Sequence, residues 1–170
     1  FIALGTCTVA QAREWLAACE PPFGANLFVP QREPLPDDVL TLARLLHQKV
    51  PDVSSDYAEK FALVLDAAPS VVSSTFGCFT EDEIAQLHAA GSEAWATVTN
   101  PAEIAEAKRR GVDGVIVQGP RAGGHRATWD QHDDPDQRPL EELLALADGP
   151  VIAAGGVRGP EAVSYTHLTL

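Results

Sequence analysis

The chain has 170 residues, which suffices for one domain with a sizeable apolar core. Its formal net charge is −12, and this acidity argues against nucleic acid as a partner, because neutralising phosphates requires clustered cations. The cluster at residues 108–110 (Lys-Arg-Arg) is better explained as cations at a helix C-terminus, where they offset the helix dipole. No apolar run is long enough to span a membrane, so a membrane partner is not expected either.

Short apolar runs alternate with amphipathic stretches along the chain. The runs predict strands at Phe1–Thr6, Phe23–Val29, Val71–Phe76, Glu93–Thr99, Val115–Gln118 and Val151–Ala154. The stretches between them predict helices at Val9–Cys19, Asp37 to about Lys49, Tyr57–Ala67, Thr80–Ala90, Pro101–Arg110 and Pro139–Ala147. Residues 128–138 are polar and aperiodic, which predicts a surface loop.

Several helix ends carry specific capping signals. Thr8 is a plausible N-cap, and the spacing of Thr80 and Glu83 is that of a capping box. Asn100 precedes a proline at the first helical position, and Gly111 follows the last turn of the same helix. These signals fix the helix boundaries more firmly than periodicity alone would.

The larger side chains divide into core candidates and undecided ones. Trp15 and Trp95 fit the core faces of their predicted helix and strand. Trp129, in the polar loop, could cover a pocket or lie on the surface, and the sequence does not decide between them. Tyr57 and Lys60 could form a substrate lid or simply begin a helix, and we prefer the helix.

The repeated strand–helix order predicts a parallel α/β fold. Parallel strands need crossover connections, and short continuous apolar strands need cover on both faces. Six such strands fit either a doubly wound sheet or most of an eight-stranded barrel.

The stretch around which the rest of the chain is organised is residues 111–126, with the sequence GVDGVIVQGPRAGGHR. Its first half predicts a buried strand, and its second half contains too many glycines for regular structure. His125 follows the paired glycines at the carboxyl end of that strand, where α/β folds place their sites. A loop histidine is more often structural than catalytic, although its ordinary pKa near 6.5 suits proton abstraction.

A second glycine pair follows the last predicted strand. Gly155 and Gly156 precede a potential helix start, where free N–H groups and the helix dipole favour a phosphate. In eight-stranded barrels, phosphate sites commonly follow the last two strands. The alternative is a tight turn that requires a positive φ, and spacing alone leaves both explanations open.

The sequence offers no metal site. The three cysteines, Cys7, Cys19 and Cys78, lack metal-ligand spacing, and we expect reduced thiols in a cytoplasmic protein. One further group of potential ligands falls in a proline-broken polar loop, where a solvated acidic surface is expected instead: His125, His132, Asp133 and Asp134.

Four segments together resemble the nitronate monooxygenase family, formerly called 2-nitropropane dioxygenases. They are PFGANLFVP at 22–30, VVSSTFG at 71–77, GVIVQGPRAGGHR at 114–126 and PVIAAGGV at 150–157. The resemblance covers roughly residues 1–163, and the third segment is its most specific part. It implies an FMN-dependent (β/α)₈ barrel that oxidises alkyl nitronates with O₂ to a carbonyl compound and nitrite.

The resemblance also implies roles for individual residues. His125 would remove the α-proton of a nitroalkane. Asn26, Gln118 and Gly123 would contact the flavin, and the Gly155–Gly156 pair would hold the FMN phosphate. Departures from the family pattern are Ala127, where the family usually has glycine after His-Arg, and residues 73–76, where an aromatic-bearing run is common.

The resemblance implies an incomplete barrel. The first predicted strand corresponds to the second of the family, and the sixth to the seventh, so strands 2–7 are expected within residues 1–163. We expect the 170-residue chain to bind FMN weakly or not at all, since an open barrel lacks part of the phosphate site. Residues 164–170 lack helical period and are expected to be an atypical tail foreign to the fold.

Two other functions remain open. A flavin-dependent enoyl-acyl-carrier-protein reductase would share the barrel and a Gly-Gly-His loop, but it would consume NAD(P)H. A barrel that binds a phosphate ligand without catalysis would have no need of His125 as a base. The sequence does not give the oligomeric state.

Overall fold

The computed structural model describes residues 1–30, 37–47, 56–130 and 132–157. Six parallel strands form one sheet: β1 (Ile2–Ala3), β2 (Gly24–Phe28), β3 (Val71–Thr75), β4 (Glu93–Val98), β5 (Gly114–Gln118) and β6 (Val151–Ala154). The helices are α1 (Val9–Ala17), α2 (Asp37–Leu45), α3 (Tyr57–Ala67), α4 (Glu81–Ala89), α5 (Pro101–Arg110) and α6 (Leu140–Leu144).

The strands lie side by side in their order along the chain, from β1 to β6. A doubly wound sheet reverses its strand order at a switch point, whereas a (β/α)₈ barrel adds each strand next to the previous one. The order is therefore that of a barrel. Within the described residues, β1 and β6 each pair on one side only, so the barrel is incomplete as expected.

The capping signals are confirmed. Thr8 forms a capping box with Gln11, and Thr80 forms one with Glu83. The Asn100 side chain accepts a hydrogen bond from the backbone N–H of Glu103, and α5 ends at a glycine with φ of 87°. The predicted cationic end of α5 is also confirmed, because the last turn of that helix carries Lys108, Arg109 and Arg110.

The strands present two different faces. Alternate side chains point toward the helices and build two apolar clusters, one under α1, α3 and α4 and the other under α5 and α6. Leu27, Val72, Val98 and Val117 are almost completely buried there. Burial of each such side chain contributes roughly 1.5–3 kcal/mol, so this outer layer supplies most of the stability of the sheet.

All three cysteines are free thiols, as predicted. Cys7 and Cys78 are buried in the outer layer, and burial raises the pKa of Cys78 to about 11. Tyr57 begins α3, as preferred from the sequence, and its hydroxyl donates to Glu83 at 3.0 Å. Within the described residues, no helix combines the length and hydropathy needed to cross a bilayer.

Some predictions were wrong in detail. The first strand is two residues long rather than six, and α6 ends at Leu144 instead of Ala147. Trp15 is 40% exposed, because it lies at the border of an α1 stripe centred on the buried Ala12 and Leu16. The predicted end of the second helix at about Lys49 and the predicted tail at 164–170 lie outside the described residues.

Candidate functional site

The inner face of the sheet, opposite the helices, carries a row of polar side chains. The amide Nδ2 of Asn26 donates to Oγ of Ser73 at 2.9 Å and to Oγ1 of Thr75 at 3.0 Å. Thr75 and Thr97 share a hydrogen bond of 3.4 Å between their hydroxyls. Side chains from β2, β3 and β4 are thereby joined across the inner face, while Asn26 Oδ1 makes no hydrogen bond within the described part of the chain.

Two aromatic rings on the inner face pack over glycines of neighbouring segments. A Cβ on Gly114 would come within 2.7 Å of the Trp95 ring, and a Cβ on Gly5 within 2.5 Å of the Phe28 ring. Glycine is therefore needed at both positions to make room for a ring. Trp95 is half-buried in this way, on the inner face rather than in the outer core.

The loop after β5 is organised by Gln118, the last residue of that strand. Its Oε1 accepts from the backbone N–H of Ala127 at 2.9 Å, and its Nε2 donates to the carbonyl of His125 at 3.3 Å. The glycine loop is thus closed back onto the strand from which it leaves. Gly123 and Gly124 stay clear of other atoms, and a Cβ on either would meet nothing within 4 Å.

The His125 side chain is exposed at the mouth of the sheet and contacts one aromatic ring. Its imidazole lies edge to face with Phe76, with 4.8 Å between the ring centroids, and Phe76 packs in the same manner on Phe28. Phe76 has a φ of 63°, a left-handed conformation that costs a bulky residue about 1–3 kcal/mol. Such strain is typical of sites where position matters.

The second glycine pair packs against the first loop. Gly155 and Gly156 both have positive φ, 83° and 78°, and a Cβ on either would collide with Ala122 or Arg121. The backbone N–H of Gly119 also donates to the carbonyl of Ala154 at 2.9 Å. Both glycine loops therefore lie at the same mouth of the fold, and the packing between them by itself explains the glycines.

A buried carboxylate supports the far end of the His125 loop. Glu103, in the first turn of α5, is 5% exposed, and its Oε2 accepts from the N–H and the hydroxyl of Thr99. Its Oε1 accepts from the N–H of Trp129 at 2.8 Å. Burial raises the pKa of Glu103, although these hydrogen bonds act in the opposite direction.

Arg126 joins the end of β4 to the acidic loop. Its Nη2 donates to the carbonyls of Thr99 and Asp136, both at 3.1 Å, and burial lowers the pKa of the guanidinium. Trp129 packs against the outer cluster and donates through Nε1 to the carbonyl of Thr97 at 2.8 Å. Trp129 therefore neither covers a pocket nor lies free on the surface, the two alternatives that the sequence left open.

Three features of the site were not predicted from the sequence: the burial of Glu103, the hydrogen bonds of Arg126 and the strained backbone of Phe76. A glutamate in the first turn of a helix is an ordinary dipole partner, so nothing in the sequence marked Glu103 as buried. Positive φ at a phenylalanine has no sequence signature. Among the described residues, no three His, Cys, Asp or Glu side chains are grouped so that they could hold a metal ion.

A sequence profile of the family described as nitronate monooxygenase matches residues 1–165. The chain belongs to this family. Nitronate monooxygenase from Paraburkholderia phytofirmans is 41% identical over 100 residues, covering 56% of this chain and 27% of that protein. A probable nitronate monooxygenase from Bacillus subtilis is 30% identical over 161 residues, covering 86% of this chain and 46% of that protein. This chain spans less than half the length of either relative.

Solved structures of similar fold agree with this membership. The nitroalkane oxidase of Streptomyces ansochromogenes has a TM-score of 0.80 at 31% identity, covering 96% of this chain and 54% of that one. FabK from Thermotoga maritima has a TM-score of 0.64 at 18% identity, which shows a shared fold alone. Both similarities extend over nearly all of this chain.

All of the predicted site residues of this nitronate monooxygenase family member lie on the inner face or at its mouth. His125, Gly123 and the Gly155–Gly156 pair belong to the two glycine loops, while Asn26 and Gln118 lie on β2 and β5. Within the described residues, Asn26 Oδ1 accepts no hydrogen bond. A Cβ placed on Gly123 would meet no atom within 4 Å, so a ligand could approach the backbone there. The Gln118 amide already holds the loop, so a further contact would have to use its remaining hydrogen or lone pair.

Proposed function

We propose that the protein to which this chain belongs is an FMN-dependent nitronate monooxygenase that converts nitroalkanes or nitronates and O₂ into a carbonyl compound and nitrite. The observation that carries the proposal is the meeting of His125 and both glycine loops at one mouth of the inner face. Family membership supports the same reaction. The proposed partners are small molecules, and the three free cysteines support the proposal that the protein is cytoplasmic.

The residues of the mouth fit FMN in chemical character. Asn26 Oδ1 can accept from an N–H of the flavin ring, and Gln118 and Gly123 lie at the same mouth. Gly155 and Gly156 would hold the phosphate, beside Arg121, whose side chain lies against Gly156. Arg121 forms none of the ion pairs found among the described residues, so its charge is available to an anion.

The protein's own contribution is to bind, orient and deprotonate. When bound, FMN supplies the electron transfer between the nitronate and O₂. For a neutral nitroalkane, an imidazole nitrogen of His125 accepts the α-proton and leaves the nitronate anion. The Phe28 and Phe76 rings border the same mouth and give it an apolar wall that suits an alkyl group.

The variant His125→Asn tests the base directly in the flavin-loaded enzyme. We expect nitrite release from a neutral nitroalkane to fall by about 100-fold or more, since a general base contributes about 10²–10⁴. Nitrite release from the preformed nitronate should stay within a few-fold of the parent, because that substrate has already lost its proton. The matched control His132→Asn should leave both rates unchanged.

Other outcomes would contradict the proposal. A nitroalkane rate unaffected by His125→Asn would remove the histidine from the mechanism. Flavin-loaded enzyme that releases no nitrite but oxidises NAD(P)H with an enoyl substrate would favour the reductase. Ligand binding without either reaction would favour the non-catalytic barrel.

A further inference from the structure

Among the residues that the structure describes, no side chain or backbone group forms a hydrogen bond with the His125 imidazole, whereas a catalytic imidazole is usually oriented by such a partner. Gln118 binds the backbone carbonyl of His125 and not its ring. Within the described part of the chain, the edge-to-face contact with Phe76 is the interaction found for the imidazole. The ring is exposed and follows two glycines, so it would otherwise be free to rotate.

Phe76 is itself held firmly from behind. Its ring packs on Phe28 at 4.8 Å between centroids, and Phe28 in turn lies over Gly5, where a Cβ would come within 2.5 Å of that ring. The backbone at Phe76 is held at a φ of 63°, which a phenylalanine adopts only when its surroundings impose it. A row of contacts thus runs from the end of β1 to the loop after β5.

We propose that Phe76 is a positioning residue for His125, which fixes the orientation of the imidazole by ring contact. An aromatic contact restricts the side-chain torsions of histidine without occupying either ring nitrogen. Both nitrogens then remain available to exchange a proton with substrate and solvent. The contact itself is a property of the chain, while its effect on catalysis rests on the proposed function.

The contact can be measured in the chain without flavin or substrate. Histidine ring protons next to a phenylalanine experience its ring current, so the NMR resonance of His125 reports the contact. The chain has five histidines, and the signal lost in His125→Asn identifies the right one. We expect Phe76→Leu to move that signal alone and Phe76→Tyr to leave it close to the parent position.

Two further variants keep the measurement decisive if Phe76→Leu does not fold. Phe76→Asn removes the ring but accepts a positive φ, so it should fold and should move the His125 signal in the same direction. Phe61→Leu makes the same substitution in the outer cluster, and it should lower stability without moving that signal. An unmoved His125 signal in the folded Leu or Asn variant would overturn the proposal.

The kinetic consequence is tested in the flavin-loaded enzyme. Misplacing a reacting group by about 1 Å can cost about 100-fold, so we expect Phe76→Leu to lower kcat for a nitroalkane at least tenfold. KM should change less than kcat, and Phe76→Tyr should restore the rate. An unchanged kcat in Phe76→Leu would also overturn the proposal. An enzyme that releases no nitrite, while the NMR signal moves as expected, would instead count against the proposed function.

Discussion

The two faces of the sheet differ in what their side chains do, although they are built from the same strands. Toward the helices, residues such as Leu27 and Val117 are buried and apolar. On the inner face, Asn26, Ser73 and Thr75 form a hydrogen-bonded row, and aromatic rings pack over glycines. Neighbouring residues of one strand therefore belong to an apolar layer on one face and to a polar and aromatic surface on the other, because successive side chains of a strand point to opposite faces.

Two adjacent residues of β2 provide the strongest test of the difference between the two faces. Leu27→Ala should lower the free energy of unfolding by about 2–5 kcal/mol, because it opens a cavity in the outer layer. Asn26→Ala should cost about 1–3 kcal/mol for its lost hydrogen bonds and should also weaken FMN binding. Urea unfolding measures the first effect, and flavin fluorescence titration of the protein to which this chain belongs measures the second.

An exposed leucine on α2 provides the control for Leu27→Ala. Leu42 is 56% exposed on α2, so Leu42→Ala should change the free energy of unfolding by less than about 0.5 kcal/mol. If Leu27→Ala weakened FMN binding as strongly as Asn26→Ala, the division between the two faces would not hold.

Glu103 lies where the outer layer meets the mouth, and the pH dependence of its contribution to stability provides a second test. Its raised pKa means that the folded chain binds this proton more tightly than the unfolded chain does. The carboxyl therefore contributes most to stability below its unfolded pKa and progressively less as the pH rises toward its folded value. Glu103→Gln removes the titration, so the free energy of unfolding of the parent minus that of the variant should decrease as the pH rises.

Urea unfolding of both proteins across that pH range measures the difference. Glu142→Gln, an exposed carboxyl on α6, is the matched control. If the free energy of unfolding of the parent minus that of the variant instead increased with rising pH, the pKa of Glu103 would be lowered rather than raised in the folded chain.

The smallest effect is expected on the solvent side of the outer helices. Lys108 and Asp148 form an exposed ion pair at 2.6 Å, and this pair lowers the pKa of Asp148. Its stabilisation is present above the unfolded pKa and is lost as the pH falls. Exposed pairs contribute little, so Asp148→Asn should leave the unfolding midpoint at neutral pH indistinguishable from the parent, in low and high salt alike. A clear destabilisation would assign this surface a larger part in stability.

The sequence predicted what is encoded locally. Caps such as Thr80 with Glu83 lie within one turn of helix and were confirmed. The apolar pattern of each element lies within about ten residues, and these patterns predicted the type and order of the elements but not every boundary or buried side chain. The contacts that build the mouth join residues far apart in the chain. Asn26 and Ser73 are 47 positions apart, and no spacing rule predicts that they meet. Their meeting follows from the register of β2 on β3.

The individual features that were not predicted correctly also have physical reasons. Trp15 was placed in the core because periodicity gives the direction of a stripe more reliably than its width. The family resemblance named His125 but not the ring beside it, since the contact with Phe76 depends on a backbone conformation that no residue type signals. The roles of Asn26, Gln118, Gly123, Gly155 and Gly156 toward FMN stay predictions.

The loop from Asp130 to Pro135 is fastened on both sides: Glu103 binds the backbone at Trp129, and Arg126 binds the carbonyl of Asp136. Insertions or deletions between Trp129 and Asp136 should therefore change the shape of this loop without shifting the His125 imidazole. Under the proposed function, a change of length or charge there would alter which nitro compounds enter the mouth and would leave the proposed proton acceptor in place.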